Sequence, residues 1–428
     1  MDNVVRLRAR LVIPVATSTI ADGVVTIRNG SIAEVAACSD RDGVLDLGNV
    51  AILPGLVNAH THLEFSDLAR PLGHSGAPLV DWIRDVIAQR VDRGDERRVE
   101  AAIQAGLDEC VRTGTTTIGE IATDGWRGVS PYRAAVRATA FRELRGMSPE
   151  RVETARAAAE EHLAEDGRRS WRPGLSPHAP YSVADALVDE AVALSASRGA
   201  PLAMHLAESL EEIEFMRTRG GAFRTLLDDL RAWHAAALAP ECAPIDYLRR
   251  LAGASRALVV HGNYLDAESL EFLAAHAERM ALVYCPRTHA YFGHPVHPAA
   301  ELLRRGGVVA LGTDSRASNP DLDMWAELRF AAQHHPDLRP QDVLQMATLG
   351  GAKALGLAES IGSLLGGRRA DLTVVATTGR AIGDVEQLVA SDDTRVVATI
   401  VDGALRFVDR DWGETLGEQA RRWIAPSM

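Results

Sequence analysis

The chain opens on short apolar runs spaced as strands. "RARLVIPV", "GVVTIRNGSIAEVAA" and "GVLDLGNVAIL" are rich in Val and Ile, and no helix-length periodic stretch interrupts them. Asn29-Gly30 stands between two of the runs as a tight hairpin signal. The far end reads alike: "GGRRADLTVVA" and "TRVVATIVDGALRFVD" are β-rich, with Asp402-Gly403 as the turn. Two such ends predict one small β-sandwich domain built from residues 1–55 and 361–411, with a helical tail over 412–428.

Between them, over residues 56–360, the pattern alternates. Apolar runs such as "TTTIGEIA", "RAAVRATAFRE", "APLAMHLAES", "RALVVHGNYL", "MALVYCP" and "GGVVALGTDS" are separated by Ala-, Leu-, Glu- and Arg-rich stretches. "SPERVETARAAAEEHLAED" and "DAESLEFLAAHAE" carry helical periodicity. Asn319-Pro320 reads as a cap and first-turn proline for the helix in "DLDMWAELRFAAQHH". Strand–helix alternation implies a parallel sheet, and roughly seven or eight such units favour a (β/α)8 TIM barrel over an open sheet.

The barrel expectation gives the strand ends a meaning, because a barrel keeps its active site at the C-terminal rim. "GLVNAHTHLEF" ends an apolar run with His60 and His62. Residues two apart on a strand share a face, so both imidazoles can bind one ion. Taken alone, the pair reads equally well as two hydrogen-bonded polar residues at a loop edge. It has company: other runs end in His205, with Glu208 three residues on, in His261 and in Asp314. Burying these groups without partners costs several kcal/mol each. Three of these histidines with the aspartate suit a single divalent metal, Zn²⁺ or Fe²⁺, with a position left open for water.

Composition narrows the partners. The 428 residues carry a net charge of −12 with His neutral, which disfavours nucleic acid and anionic membranes. No apolar run reaches the roughly 18 residues of a spanning helix, and the start does not read as a signal peptide, so the expected compartment is the cytoplasm. Cys38, Cys110, Cys242 and Cys285 are scattered and form no CxxC, which leaves any metal to His, Asp or Glu.

In order, "PGLVNAHTHLEF", "SPHAPYSV", "MHLAES", "VVHGNYL", "CPRTHAYFG" and "LGTDSRASN" resemble the amidohydrolase superfamily, in its cytosine-deaminase-like and S-adenosylhomocysteine-deaminase-like branch. The resemblance covers nearly the whole chain. It implies that His60, His62, His205 and Asp314 hold one metal, and that Asp314 takes the proton of the attacking water. It gives Glu208 the proton donation to the substrate ring, against the alternative of a surface glutamate capping the next helix. His261 either hydrogen-bonds the attacking water or is a further ligand. His178 becomes a substrate contact, against a loop histidine bonded to backbone. Glu64, Trp82, Arg142, Glu143, Arg287 and His289 are further candidates near strand ends, and Trp82 reads equally as core. Of the other histidines, His162, His234 and His276 are expected to be solvated on helices.

The implied reaction is hydrolytic deamination of a 6-aminopurine nucleoside derivative: aminodeoxyfutalosine, S-adenosylhomocysteine or methylthioadenosine. Adenosine-type relatives grip ribose with an acid beyond the motif carrying Trp82, where this chain has Gln89, Arg90 and Val91. Some motifs look closer to aminodeoxyfutalosine deaminases, whose substrate carries an acidic substituent that Arg84, Arg142 or Arg287 would pair with. Guanine deaminase, triazine chlorohydrolase and imidazolonepropionase chemistries stay open, as does a non-catalytic barrel serving as an assembly subunit. The resemblance also allows a homodimer, although no sequence feature marks an interface.

Overall fold

The computed structural model describes residues 4–93, 96–124, 126, 136–164, 171–377 and 383–424. The predicted strand and helix over 133–143 and 148–166, and the predicted tail over 412–428, extend in part (133–135, 165–166 and 425–428) outside the described residues.

Two sheets organise the chain. The first collects strands from both ends: β1 (Val4–Val12), β2 (Ile20–Arg28), β3 (Ser31–Ala37), β4 (Val44–Asp46) and β5 (Val50–Pro54). The second is built from β6 (Leu56–Thr61), β7 (Thr115–Ala122), β8 (Arg137–Leu144), β9 (Trp171–Pro177), β10 (Leu202–Leu206), β11 (Ala257–His261), β12 (Met280–Tyr284) and β13 (Val309–Leu311). The chain then returns to the first sheet with β14 (Leu372–Thr377), β15 (Thr394–Val401) and β16 (Ala404–Val408).

In the first sheet the order is β16-β15-β14-β5-β1-β2-β3, with β4 beside β1. The two ends of the chain meet where β14 runs antiparallel to β5, pairing Leu372 with Pro54 and Val374 with Ile52. Both predicted hairpin turns hold, with left-handed backbone at Asn29 (φ 51°), Gly30 (φ 79°), Asp402 (φ 51°) and Gly403 (φ 74°). They face each other so closely that a Cβ on Gly30 would lie 2.8 Å from the Asp402 carbonyl.

The second sheet is parallel and runs in sequence order from β6 to β13. Its strands are buried along almost their whole length, as an inner barrel wall requires. Closure between its last and first strands is made at the rim. Thr61 bridges Asp314, and the Asp314 amide donates to the His60 carbonyl at 3.0 Å. The Asn58 side chain locks the same seam, donating to Thr313 Oγ1 at 2.7 Å and accepting from the Thr313 amide at 3.1 Å. Glycine is required at position 119, where a Cβ would stand 2.4 Å from the Ala59 carbonyl.

Two expectations are corrected. The helix Met324–His334 is capped by Asp323, whose carboxylate accepts from the Trp325 and Ala326 amides. Asn319 is instead buried in the preceding loop, where its amide donates to the Thr313 carbonyl at 2.8 Å and to Glu327 at 3.1 Å. His162 is buried, not solvated: the helix Pro149–Ala164 turns its Ala155, Ala159 and His162 stripe inward. The His162 ring stacks on Trp171 and its Nε2 lies 2.9 Å from the Ala140 carbonyl. His234 and His276 are half-buried.

Candidate active site

Five of the predicted residues converge at the C-terminal rim of the barrel. β10 and β11 pair so that His205 lies beside Val260 and Leu206 beside His261, which sets the two histidines one residue out of register. Their rings still meet at the rim, with centroids 5.4 Å apart, where His261 takes left-handed backbone. The His60 ring centroid lies 4.8 Å from His62, 5.0 Å from His205 and 5.6 Å from His261. Asp314 Oδ1 stands 3.5 Å from His60 Nε2 and 3.6 Å from His62 Nε2. Ligand-type atoms of His60, His205 and His261 lie within 4.8 Å of one another, and so do those of His60, His62 and Asp314.

The cluster has the chemistry of a cation site. Both ring nitrogens of His60 and Nδ1 of His62 are buried without a hydrogen-bond partner among the described residues, a costly state that a cation taking one nitrogen of each ring would relieve in part. Burial, then the neighbouring His60, lowers the His62 pKa well below its usual value. The same causes push His205 down to about 4. Burial and His205 lower His261 as well. These are neutral imidazoles, the form that donates a lone pair. The His178 carbonyl accepts from His205 Nδ1 at 2.9 Å, which turns Nε2 toward the cluster.

Three rim residues hold left-handed backbone without being glycine: Ala207 (φ 56°), His261 (φ 68°) and Asp314 (φ 57°). Each such conformation costs about 1–3 kcal/mol and persists where surrounding bonds enforce it. The Ala207 and Glu208 amides both donate to the buried Glu212 carboxyl. His297 Nδ1 accepts from the Ala299 amide, so its Nε2 donates to the His261 carbonyl at 2.7 Å. Thr61 Oγ1 donates to the Asp314 carbonyl at 3.0 Å, and Ser318 Oγ donates to Asp314 Oδ2 at 3.0 Å.

Glu208 Oε1 lies 3.5 Å from His261 Nε2. Burial, with Asp314 next, raises its pKa well above the usual carboxylate range. Such a shift favours the protonated form, the form that can act as an acid.

A cavity of about 330 Å³ opens from this cluster, within the range of small-molecule sites. One wall is apolar: Leu79, Trp82, Ile83 and Ile87 from the helix Leu79–Arg93, and Leu226, Leu227 and Leu230 from the segment around Gly221–Asp229. The other wall is polar, with Arg90, Glu143, Arg145, Arg151, His178 and Ser182. A larger concavity of about 770 Å³ lies over β4 and Trp412, away from any histidine.

The remaining candidates divide. Trp82 lines the cavity, and its indole N–H donates to the Ala317 carbonyl at 2.9 Å. His178 lines it with Nδ1 2.6 Å from Ser182 Oγ. Glu64, Arg142, Arg287 and His289 are not among the lining residues. Glu64 is buried against Arg90 at 2.6 Å, Arg142 pairs with Asp124 at 2.7 Å, and His289 is packed behind the site against Tyr284 and His297. Arg84 pairs with Asp229 at the surface. Arg287 is tied to the fully buried Glu327 and to Asp321, and so steadies the loop that carries Asp314. Replacing Glu327 with Ala leaves Arg287 buried with half its partners, so the variant should lose about 3 kcal/mol of unfolding free energy. Chemical denaturation of wild type and variant reads this directly, and an unchanged midpoint would refute it.

Reading strand ends missed Arg145 and Arg151, which lie just beyond β8, and the leucines around Gly221–Asp229. Only the charged spacing in "RELRGMSPER" hinted at the first two.

The profile of the amidohydrolase family matches residues 51–406. The 5-methylthioadenosine/S-adenosylhomocysteine deaminase of Moorella thermoacetica is 32% identical over 85% of this chain and 83% of its own length. The aminodeoxyfutalosine deaminase of Deinococcus radiodurans is 33% identical over 71% of this chain and 73% of its own. Among solved structures, Helicobacter pylori aminofutalosine deaminase in complex with methylthio-coformycin superposes with a TM-score of 0.82 at 22% identity, covering 94% of this chain and 99% of that one, which is a likeness of fold. No helix among the described residues is long and apolar enough to cross a membrane. With the matched profile spanning the barrel and every strand-end group of the rim cluster, the chain belongs to the amidohydrolase family.

Proposed function

We propose that this protein is a metal-dependent deaminase that hydrolyses the 6-amino group of a purine nucleoside derivative and releases ammonia. The observation that carries the reading is the buried Glu208 set 3.5 Å from His261, beside the His60, His62, His205 and Asp314 cluster, where burial and Asp314 raise its pKa. The substrates we favour are aminodeoxyfutalosine, S-adenosylhomocysteine and methylthioadenosine, supported by the relatives named above. In this reading residues 56–360 carry the reaction, flanked by a β domain from 1–55 and 361–411 and a helical tail over 412–428.

His60, His62, His205 and Asp314 would hold the ion, zinc by preference for this donor set. A divalent ion there supplies Lewis acidity and lowers the pKa of water to about 7, so that attack proceeds at neutral pH. The side chains do the rest. Asp314 Oδ1 faces His60 Nε2 and His62 Nε2 on the side of the ion, and Oδ2, held by Ser318, would accept the proton of the attacking water. Glu208 gives its proton to the ring nitrogen beside the attacked carbon, which receives the electron pair displaced by the water. The proton taken by Asp314 passes to the departing amino group, which leaves as ammonia, while the remaining hydroxyl proton goes back to Glu208 and the carbon becomes a carbonyl. The neutral His261 hydrogen-bonds the developing oxyanion. His178 meets the base from the side wall.

The test is an ammonia-release screen of purified, metal-loaded protein across adenine nucleosides, guanine and other aminated heterocycles, with chloride release from a chlorotriazine in parallel. Ammonia from 6-aminopurine nucleosides is the expected result. Release from guanine alone, or of chloride, would replace this reading with one of its rivals.

A further inference from the structure

The cavity holds one carboxylate that the reaction does not use. Among the described residues lining it, the acids are Glu208, Asp314 and Glu143, and the first two belong to the reacting cluster. Glu143 stands near the end of β8 with its side chain 8% exposed. Its Oε2 pairs with Arg145 and lies 3.9 Å from Arg90 Nη2. Its Oε1 is buried and meets no hydrogen-bond donor among the described residues. His178 Nε2, at 3.7 Å, is beyond reach. Burial works against ionisation here, but Arg145 and Arg90 hold the carboxyl well below the usual range. An ionised, acceptor-only oxygen is thus left buried at a cavity wall, and the ligand must bring the donor.

Chemistry restricts what that donor is. This inference rests on the nucleoside reading. An adenine nucleoside derivative presents the ring nitrogens N3 and N7 as acceptors, which a carboxylate repels. Its N–H donors are on the 6-amino group, and that group must sit at the histidine cluster to react. Glu143 is one ring removed from the cluster, reached through His178, whose ring lies 5.0 Å from His205. The sugar hydroxyls are the remaining donors that all three favoured substrates share; the ammonium of S-adenosylhomocysteine stands at the far end of its tail, beyond the sugar. The helix Leu79–Arg93 supplies apolar side chains and Arg90 to the cavity, and no carboxylate to compete for them.

We infer that Glu143 is the specificity-determining residue for the sugar, its free Oε1 accepting hydrogen bonds from the vicinal 2′- and 3′-hydroxyls of the ribose. Arg90 and Arg145 act as positioning residues that fix the carboxylate and leave that oxygen facing the cavity.

The experiment compares kcat/KM for a ribonucleoside substrate with its 2′-deoxy and 3′-deoxy analogues, in wild type and in Glu143→Gln. A hydrogen bond to a charged acceptor predicts a preference of about 10- to 100-fold for the ribonucleoside in wild type, carried mostly by KM. In the variant the ribonucleoside should fall toward the deoxy values, which themselves change little. The wild-type comparison needs no folded variant. Equal use of all three substrates by wild type overturns this proposal alone, and so does a Glu143→Gln enzyme that keeps the wild-type preference. Wild type that releases ammonia from none of the three overturns both this proposal and the nucleoside reading.

Discussion

Glu208→Gln is expected to lower kcat by about 10²- to 10⁴-fold while metal content and KM stay close to wild type. Three features of the site lead to that size. Glu208 is buried, and burial and Asp314 both oppose its ionisation and favour the protonated acid. Its backbone is pinned by Glu212 from one side, and by Asn263, whose amide donates to the Glu208 carbonyl at 2.9 Å, from the other. Gln keeps the shape and a polar tip but has no acidic proton to give or recover. The change removes proton transfer and leaves the cluster of His60, His62, His205 and Asp314 untouched. Steady-state ammonia release together with elemental analysis of the same preparation separates the outcomes. Near-normal turnover would take Glu208 out of the reaction, and lost metal would mean that it holds the site together instead.

The second large effect is expected from His60→Ala. His60 lies at the centre of the cluster: it belongs to both groups of converging ligand atoms, and neither of its ring nitrogens has a hydrogen-bond partner among the described residues. Without it the variant should retain less than about a tenth of the wild-type metal after dialysis, and ammonia release should fall in proportion. The fold should survive. Barrel closure runs through backbone and side-chain bonds of Asn58, Thr61 and Thr313, and the His60 side chain takes no part in them. Circular dichroism unchanged from wild type, with metal and activity both lost, is the expected pattern. Full metal occupancy in His60→Ala would remove this residue from the ligand set.

The cluster was legible in the sequence because each of its members ends an apolar run. A parallel barrel converts that one-dimensional regularity into convergence: strands in register bring their C-terminal residues to one rim, whatever the separation along the chain. The two hairpin turns were legible for a local reason, since Asn-Gly and Asp-Gly tolerate the positive φ angles that the turns demand. The cavity walls were not. Leu226 and Leu227 meet Trp82 and Ile83 through packing between helices far apart in sequence, and no local pattern distinguishes a pocket leucine from a core leucine. Arg142 and Arg145 sit three residues apart in "RELRG", and side-chain direction alone sends the first outward to Asp124 and the second to the cavity. The cap of Met324–His334 shifted from Asn319 to Asp323 because the buried Glu327 and Thr313 claim the asparagine amide.

The central claim is tested most directly by titrating the metal-free protein with Zn²⁺ while following ammonia release from a 6-aminopurine nucleoside. Activity should rise linearly from near zero and break sharply at one ion per chain. Ammonia released at full rate before any metal is added, or none released after one equivalent is bound, would contradict it.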